Sequence, residues 1–310
     1  MYEIIRWFTW INTKYRRDHP QKKQDYFSPL LRKSNLLSNL KEHLISTVGS
    51  IFLWLKVPIL IFYPVKTFSV TLRVIPSRPW SSTALQKVDF LSLPSVAGFL
   101  DVNLEIIPSL KGAFKTAHPG SITSDVALPP PLSGKVCVKQ LYFTEAGGIV
   151  KCYRGTEEQG YIYCEVCCLD WARILLDLTY KFIQDFEEGV KHFPGTIPRL
   201  HFVEAAVAES RVEKFFLVEE WIDTSQAQFI KYINNGRATP CVPKNAPEET
   251  LNIANFLCFA QHVQFQVTGR TMFTSDYQGM SLNEVVWEFW LTVLLGSGSL
   301  LTDPQIITTP

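Results

Sequence analysis

A dominant charge of either sign is missing from this 310-residue sequence, in which 30 Lys and Arg residues offset 29 Asp and Glu residues to leave a net charge of +1. A chain so close to neutrality has no overall field that would recruit nucleic acid or an anionic membrane. Charged residues are scarce at 19%, whereas 46% of the residues are hydrophobic. That composition excludes a disordered chain and is typical of a globular protein. We therefore expect no nucleic-acid partner.

A secretory pattern is also missing. The apolar start at residues 1–10 runs into basic residues, which is the wrong order for a signal peptide. The cysteines number seven, an odd count, and we expect them to be reduced in the cytoplasm. Cys164, Cys167 and Cys168 resemble half of a metal knuckle, but no second pair lies at zinc-ribbon spacing, which favours a structural role.

Long hydrophobic runs are rare, and one of them approaches the length of a membrane span. Residues 44–65 carry Lys56 as their only charge, and about 20 apolar residues cross a bilayer. A central lysine costs about 3 kcal/mol on insertion, and Pro58 and Pro64 interrupt a helix. We favour a buried or spurious hydrophobic segment, with a membrane tether as the alternative. Residues 1–100 receive no other assignment.

Short apolar runs bounded by glycine and proline dominate the chain from about residue 101. They predict strands at 102–107, 136–143, 198–204, 214–222 and 271–275, helices at 161–186 and 248–265, and a loop or hairpin turn at 112–120. The strands at 198–204 and 214–222 are expected to pair as a hairpin. This order of elements is that of a two-lobed nucleotide phosphotransferase.

Several polar residues have the chemistry that phosphate transfer needs. Lys139 lies in the middle of a predicted strand, where it either neutralises nucleotide phosphates or extends from the strand edge into water. Asp276 and Gln278 share one side of an extended segment and suit Mg²⁺. Asp303 lies in an Asp-Pro turn, where it either positions a substrate hydroxyl or only shapes the turn.

Two further positions have an ordinary structural interpretation as well as a functional one. The polar stretch from Lys231 to Asn235 either contacts phosphate or turns the chain. His262, on the second predicted helix, is by itself a typical packed histidine.

Jointly, these segments resemble the alpha-kinase family, the atypical protein kinases typified by myosin heavy chain kinase. The resemblance covers about two thirds of the chain, from residue 101 onward. The matching segments are Gly112-Ala-Phe-Lys115, Val136-Cys-Val-Lys139, Leu217-Val-Glu-Glu220, Lys231-Tyr-Ile-Asn-Asn235, Phe259-Ala-Gln-His262, Asp276-Tyr-Gln-Gly279 and Leu301-Thr-Asp-Pro-Gln-Ile306.

The resemblance implies an α+β, two-lobed atypical protein kinase fold over residues 101–310 and an ATP-dependent serine/threonine kinase. It makes Lys139 the anchor of the ATP phosphates, with Glu165 as its ion-pair partner. Lys115 becomes a second phosphate contact from a glycine-containing loop, and Glu219 falls in the hinge that meets adenine.

The same resemblance places Mg²⁺ on Asp276 and Gln278 and makes Asp303 the catalytic acid. Lys231 and Asn235 are implied to line the site. The ligands and partners implied are therefore ATP, Mg²⁺ and a protein substrate of unknown identity.

Two departures from the family pattern keep a second function open. Asp276 and Asp303 are 27 positions apart, which is farther than the family places them. We interpret residues 280–296 as an insertion and hypothesise that it is an intron translated by mistake. The chain ends before the segment that completes a structural zinc site around His262 in the family, so we expect this chain not to hold Zn²⁺. The alternative function is a catalytically inactive module for nucleotide binding or protein interaction.

Overall fold

The structure, a computed structural model, describes residues 65–76, 78, 89–104, 114–128, 130–144, 150–189, 197–222, 229–235, 239–280 and 299–308. The hydrophobic run at 44–65 lies outside the described residues except for Val65. The predicted insertion at 280–296 lies outside them except for Met280.

An antiparallel sheet forms the first part of the described fold. Its strands are β1 (Lys66–Val74), β2 (Ser95–Val102), β3 (Lys115–Thr123), β4 (Gly134–Thr144), β5 (Val150–Cys152), β7 (Ala205–Ser210) and β8 (Phe215–Glu220). Their order is β3-β2-β1-β7-β8-β4-β5, and β3 also pairs with β4. Six of the seven strands therefore close into a barrel.

Alternation along the strands assigns one face to the barrel interior. Val136 and Val138 of β4 pack there with Val218 of β8 in a buried apolar cluster. Gly120 of β3 fits this tight interior because a Cβ atom would lie 2.7 Å from Val138 Cγ2. Since neighbouring positions point to opposite faces, Lys139 lies on the outer face of the barrel.

A second sheet and two helices complete the described fold. The second sheet contains β6 (Leu200–Phe202), β9 (Phe229–Lys231), β11 (Gln278–Met280) and β12 (Ser299–Thr302) in the order β6-β12-β11-β9, and β10 (Met272–Ser275) pairs with β13 (Gln305–Thr308). The helices are α1 (Gly155–Gly189) and α2 (Glu248–Val267), and a short 3₁₀ turn spans Pro130–Leu132.

Both helices begin with acidic residues, which complement the partial positive charge of a helix N-terminus. Glu157 and Glu158 lie in the first turn of α1, and two glutamates occupy the first turn of α2. Ile162, Val166 and Leu169 of α1 are fully buried and recur at helical spacing. The apolar stripe therefore orients α1 toward the core.

The hairpin of β11 and β12 brings distant residues together. Gln278 pairs with Thr302 and Gly279 with Leu301. The strands approach so closely at Gly279 that a Cβ atom there would lie 1.8 Å from the carbonyl oxygen of Leu300. Met280 and Ser299, the described residues on either side of the connection, lie at the opposite end of the hairpin from Asp276 and Asp303. The long sequence separation therefore does not separate these two acids.

Most predicted elements are present, and the α+β architecture is confirmed. The helices predicted at 161–186 and 248–265 lie within α1 and α2, and the strands at 136–143 and 271–275 correspond to β4 and β10. No helix of the described residues is long and apolar enough to cross a membrane.

Three local predictions were wrong. The loop predicted at 112–120 is largely strand β3, because Pro119 lies where β3 has only one partner; β2 pairs with β3 only from Gly120 onward. Of the strand predicted at 102–107, only Val102 is in a strand, the end of β2; residues 103 and 104 are not in a strand, and residues 105–107 lie outside the described residues. The hairpin partner of β8 is β7 rather than 198–204, where β6 pairs in parallel with β12.

The barrel extends the folded unit toward the N-terminus. β1 begins at Lys66 and pairs with both β2 and β7. Two of the barrel strands, β1 and β2, therefore lie largely within the segment 1–100, to which the sequence assigns no fold, and the predicted domain boundary at residue 101 falls inside β2.

Candidate active site

Lys139 is the centre of a buried ionic cluster between the barrel and the second sheet. Its side chain is 5% exposed, and its Nζ lies 2.6 Å from Glu219 Oε2 and 2.6 Å from Asp303 Oδ1. The ammonium also donates a hydrogen bond of 2.9 Å to Thr302 Oγ1. A lysine has three N–H donors, so the cluster offers an acceptor to each of them. A phosphate can bind Lys139 only by replacing one of these partners.

Asp303 connects the two lysines of the site. Its Oδ1 lies 2.8 Å from Lys115 Nζ as well as 2.6 Å from Lys139 Nζ. Its other oxygen, Oδ2, accepts a hydrogen bond of 3.0 Å from Gln278 Nε2. The side chain of Asp303 is 24% exposed, against 5% for Lys139, so Asp303 is the more accessible partner of this ion pair.

Lys115 and Lys139 lie on the same face because β3 and β4 pair with Ala117 opposite Lys139. Glu165 of α1 lies 2.5 Å from Lys115 Nζ. The prediction that Glu165 pairs with Lys139 was therefore wrong in this structure, where Glu165 pairs with Lys115. The reason is geometric: Lys139 already faces Glu219 from the neighbouring strand β8.

Glu219 is buried in the cluster, 3% exposed, and its carboxylate faces Lys139. Thr302, which we did not single out from the sequence, donates a hydrogen bond of 2.7 Å to Glu219 Oε2. It therefore links the second sheet to both Glu219 and Lys139 of the barrel. The sequence signal was its position, directly before Asp303 on a strand.

Asp276 and Lys231 form a second ion pair near the end of the hairpin. Lys231 Nζ lies 2.7 Å from Asp276 Oδ1, and β9 places Lys231 opposite Gln278 of β11. Asp276 and Asp303 have positive φ angles of 59° and 50°, a conformation that aspartate adopts more readily than most residues but that still costs free energy. Strained backbone of this kind clusters at functional sites.

Asn235 extends the polar lining. Its Nδ2 donates a hydrogen bond of 3.0 Å to Gln305 Oε1, two residues beyond Asp303. The structure therefore brings Lys115, Lys139, Glu165, Glu219, Gln278 and Asp303 into direct contact, and it places the Lys231–Asp276 and Asn235–Gln305 pairs on the adjoining strands and turns.

The electrostatics of the cluster favour its ionised state. Burial by itself raises the pKa of Asp303, but Lys139 and Lys115 outweigh that effect and hold the pKa well below its usual range. Burial by itself lowers the pKa of Lys139, but Asp303 and Glu219 raise the pKa overall. Burial also raises the pKa of the neighbouring Cys137 thiol to about 12, so this thiol is not a nucleophile at neutral pH.

The donor set suits a hard cation. Asp276 and Gln278 offer carboxylate and carboxamide oxygens at one end of the hairpin, and Mg²⁺ typically takes one or two carboxylates and completes its shell with water and phosphate oxygens. The residues present therefore fit magnesium.

Zinc does not fit the part of the chain that the structure describes. His262 lies on α2, half-buried, and burial lowers the pKa of its imidazole. No group of three or more His, Cys, Asp or Glu side chains in the described ranges could hold a metal ion. A structural zinc site needs four protein ligands, and His262 is here a packed helix residue.

Comparison with known sequences adds two findings. The sequence model described as "Alpha-kinase family" matches residues 112–310. A search of curated protein sequences found no match.

Several solved structures also match this chain. One is an alpha kinase from Entamoeba histolytica, 14% identical, which matches over 80% of this chain and 79% of its own with a TM-score of 0.45. Another is the alpha-kinase domain of myosin heavy chain kinase A in complex with ADP, 15% identical, which matches over 78% and 84% with a TM-score of 0.39.

Proposed function

The chain belongs to the alpha-kinase family, and we propose on this premise that it is an ATP-dependent serine/threonine protein kinase. The observation that carries the proposal is the buried cluster in which Asp303 lies against both Lys139 and Lys115. Two lysines that converge on one acid from neighbouring strands are suited to bind a triphosphate beside that acid.

In the proposed binding mode, ATP phosphates replace Asp303 as the partner of Lys139 and Lys115. Glu219 and Thr302 remain on Lys139 and hold its ammonium in place. Glu165 holds Lys115 in the same way. Neither lysine is left without a negatively charged partner during this exchange, because ATP phosphate takes the place of the Asp303 carboxylate.

The exchange also frees Asp303 for chemistry. Released from the lysines, its carboxylate can accept the proton of a serine or threonine hydroxyl. The hydroxyl oxygen then bonds to the γ-phosphorus while the bond from the γ-phosphorus to the β–γ bridging oxygen breaks, which leaves ADP. Gln278 donates to Asp303 Oδ2 and orients the carboxylate during this step.

Magnesium is part of the proposal. Asp276 and Gln278 would hold Mg²⁺, and the ion would neutralise charge on the phosphate oxygens. Lys231 balances the charge of Asp276 when no metal is bound. We also propose a cytoplasmic location, which is supported by the seven cysteines, all of which are free thiols.

The test measures binding and transfer on the same preparation. The melting temperature is recorded with and without Mg-ATP, and labelled γ-phosphate is followed into casein as a generic substrate with phosphoamino-acid analysis. The kinase proposal predicts a rise in melting temperature together with label on serine or threonine. A rise without transfer would support the inactive module instead. No rise and no transfer would contradict both.

A further inference from the structure

Arg173 of α1 is a buried cation that the proposed chemistry does not use. The residue is 8% exposed, and its Nη2 donates a hydrogen bond to the carbonyl oxygen of Val203. The same nitrogen lies 3.2 Å from Glu204 Oε2. The guanidinium therefore contacts two consecutive residues, the backbone of Val203 and the side chain of Glu204.

Val203 and Glu204 form the crossing between the second sheet and the barrel, because β6 ends at Phe202 and β7 begins at Ala205. The backbone N–H of Val203 donates to the Leu301 carbonyl at 2.9 Å. Leu301 is followed directly by Thr302 and Asp303. One end of the crossing is thus bonded to the strand that delivers both residues to Lys139.

The other end of the crossing is bonded to the strand that carries Glu219. The backbone N–H of Glu220 donates to the Glu204 carbonyl at 2.8 Å, and the backbone N–H of Glu204 donates to Glu220 Oε2 at 3.2 Å. Arg173 therefore holds the short segment to which both halves of the active-site cluster are attached.

The surroundings of Arg173 suggest more than a stabilising role. Its charge acts on Asp177, His201 and Glu220 as well as on Glu204. Its Nε and Nη1 are buried and, among the described residues, make no hydrogen bond. Buried donors without partners cost free energy, and an apolar side chain of similar length would avoid that cost. Stability alone therefore does not explain an arginine at position 173.

We propose that Arg173 is a positioning residue for phosphate transfer. It fixes the 203–204 crossing so that Thr302 and Asp303 of the second sheet remain aligned with Lys139 of the barrel. This inference rests on the proposed kinase function. Because Lys139, Glu219 and Lys115 all belong to the barrel, nucleotide affinity depends on Arg173 far less than the rate of transfer does.

The test compares Arg173→Met and Arg173→Lys with Arg211→Met, a matched change at an exposed arginine in the β7–β8 turn. Backbone hydrogen exchange is measured on peptides that cover residues 200–205 and 217–222 of the full chain. In Arg173→Met we expect exchange to rise at least about tenfold in both peptides, since local opening follows the loss of a local contact. Arg173→Lys retains a cation and a donor for the Val203 carbonyl, so it should restore most of the protection. Arg211→Met should match the unaltered chain.

Kinetics supply the second readout. We expect kcat to fall at least about tenfold in Arg173→Met, because small misplacements of reacting groups are costly, while the Kd for Mg-ATP changes less than about threefold. Unchanged exchange, or increased exchange with unchanged kcat, would overturn the proposal. If Arg173→Met does not fold, Glu204→Gln, which removes the carboxylate that Arg173 contacts, takes its place with the same readouts. If the unaltered chain transfers no phosphate, the kinase function is refuted. The exchange data would still show whether Arg173 holds the 203–204 crossing in place.

Discussion

At the scale of a single residue, the stability of the buried Lys139 ammonium depends on its partners. Its ammonium is buried between two carboxylates and a hydroxyl, and such a group is strongly held only while its partners remain. Motif order in the sequence was enough to find Lys139 and Asp303. The pairing of Glu165 with Lys115 was not predictable, because it depends on which strand lies beside β4.

Removal of the buried cation tests this description. Lys139→Met should lower the free energy of unfolding by about 3–5 kcal/mol, since it leaves the carboxylates of Glu219 and Asp303 without their cation in the interior. Urea unfolding measures the change. The double variant Lys139→Met/Glu219→Gln should recover part of the loss, and Lys66→Met, at an exposed position at the start of β1, should have almost no effect. A double variant no more stable than Lys139→Met would contradict the pairing.

The lowered pKa of Asp303 makes the stability of the fold depend on pH. Lys139 and Lys115 lower the pKa of Asp303 in the folded chain. In the unfolded chain this pKa has the ordinary aspartate value of about 4, so below that pH the unfolded chain binds more protons than the folded chain. The stability contributed by Asp303 is therefore complete above that value and is lost as the pH falls further.

Melting temperatures of the unaltered chain and of Asp303→Asn between pH 3 and pH 7 measure this contribution. The difference between the two should be constant above about pH 5 and should narrow toward pH 3. Asp125→Asn, at an exposed position, serves as the control and should give a small difference at every pH. A difference for Asp303→Asn that widens on acidification would show that its pKa is raised rather than lowered.

At the scale of elements, the β11–β12 hairpin decides whether the site exists. The sequence separation of Asp276 and Asp303 suggested that an insertion divides the acids. Strand pairing removes that difficulty, because Gln278 lies opposite Thr302 whatever the length of the connection. Sequence reasoning could not establish this, since a register between distant strands is set by tertiary contacts.

Gly279 is a position at which this hairpin has no room for a side chain. Gly279→Ala would place a Cβ atom 1.8 Å from the Leu300 carbonyl oxygen, and backbone cannot move aside as a flexible side chain can. We expect a loss of more than about 2 kcal/mol in the free energy of unfolding. Gly160→Ala is the matched control, because that helical glycine has open space around its Cβ position and should gain about 0.5–1 kcal/mol. Equal effects in the two variants would refute the close approach at Gly279.

Shortening the hairpin connection tests the independence of the site from the extra residues. Deletion of 281–295 joins Met280 to Gly296-Ser297-Gly298, a three-residue, glycine-containing turn before β12. We expect Mg-ATP to raise the melting temperature of this variant as much as that of the full chain. Replacement of 281–295 by a glycine–serine linker of equal length is the control. A loss of the Mg-ATP effect in the shortened chain alone would show that these residues support the site.

At the scale of the whole molecule, the closed barrel presents Lys115, Lys139 and Glu219 on its outer face, and the second sheet presents Thr302 and Asp303 to them. Sequence reasoning predicted this two-part α+β organisation and both helices. It missed the barrel closure, because the alanine-rich segment of β7 lacks a strand-like composition and because Pro119 and Gly120 of β3 suggested a turn. Both strands are held in place by their neighbours more than by their own preference.

The most direct test of the account is the effect of Asp303→Asn on binding and transfer, measured on one preparation. The account predicts that Asp303→Asn binds Mg-ATP at least as tightly as the unaltered chain, because Lys139 and Lys115 remain and no longer pair with a competing carboxylate, while phosphate transfer falls at least about 100-fold. Transfer at an undiminished rate by Asp303→Asn would contradict the role of Asp303, and with it the assignment of this cluster as the active site.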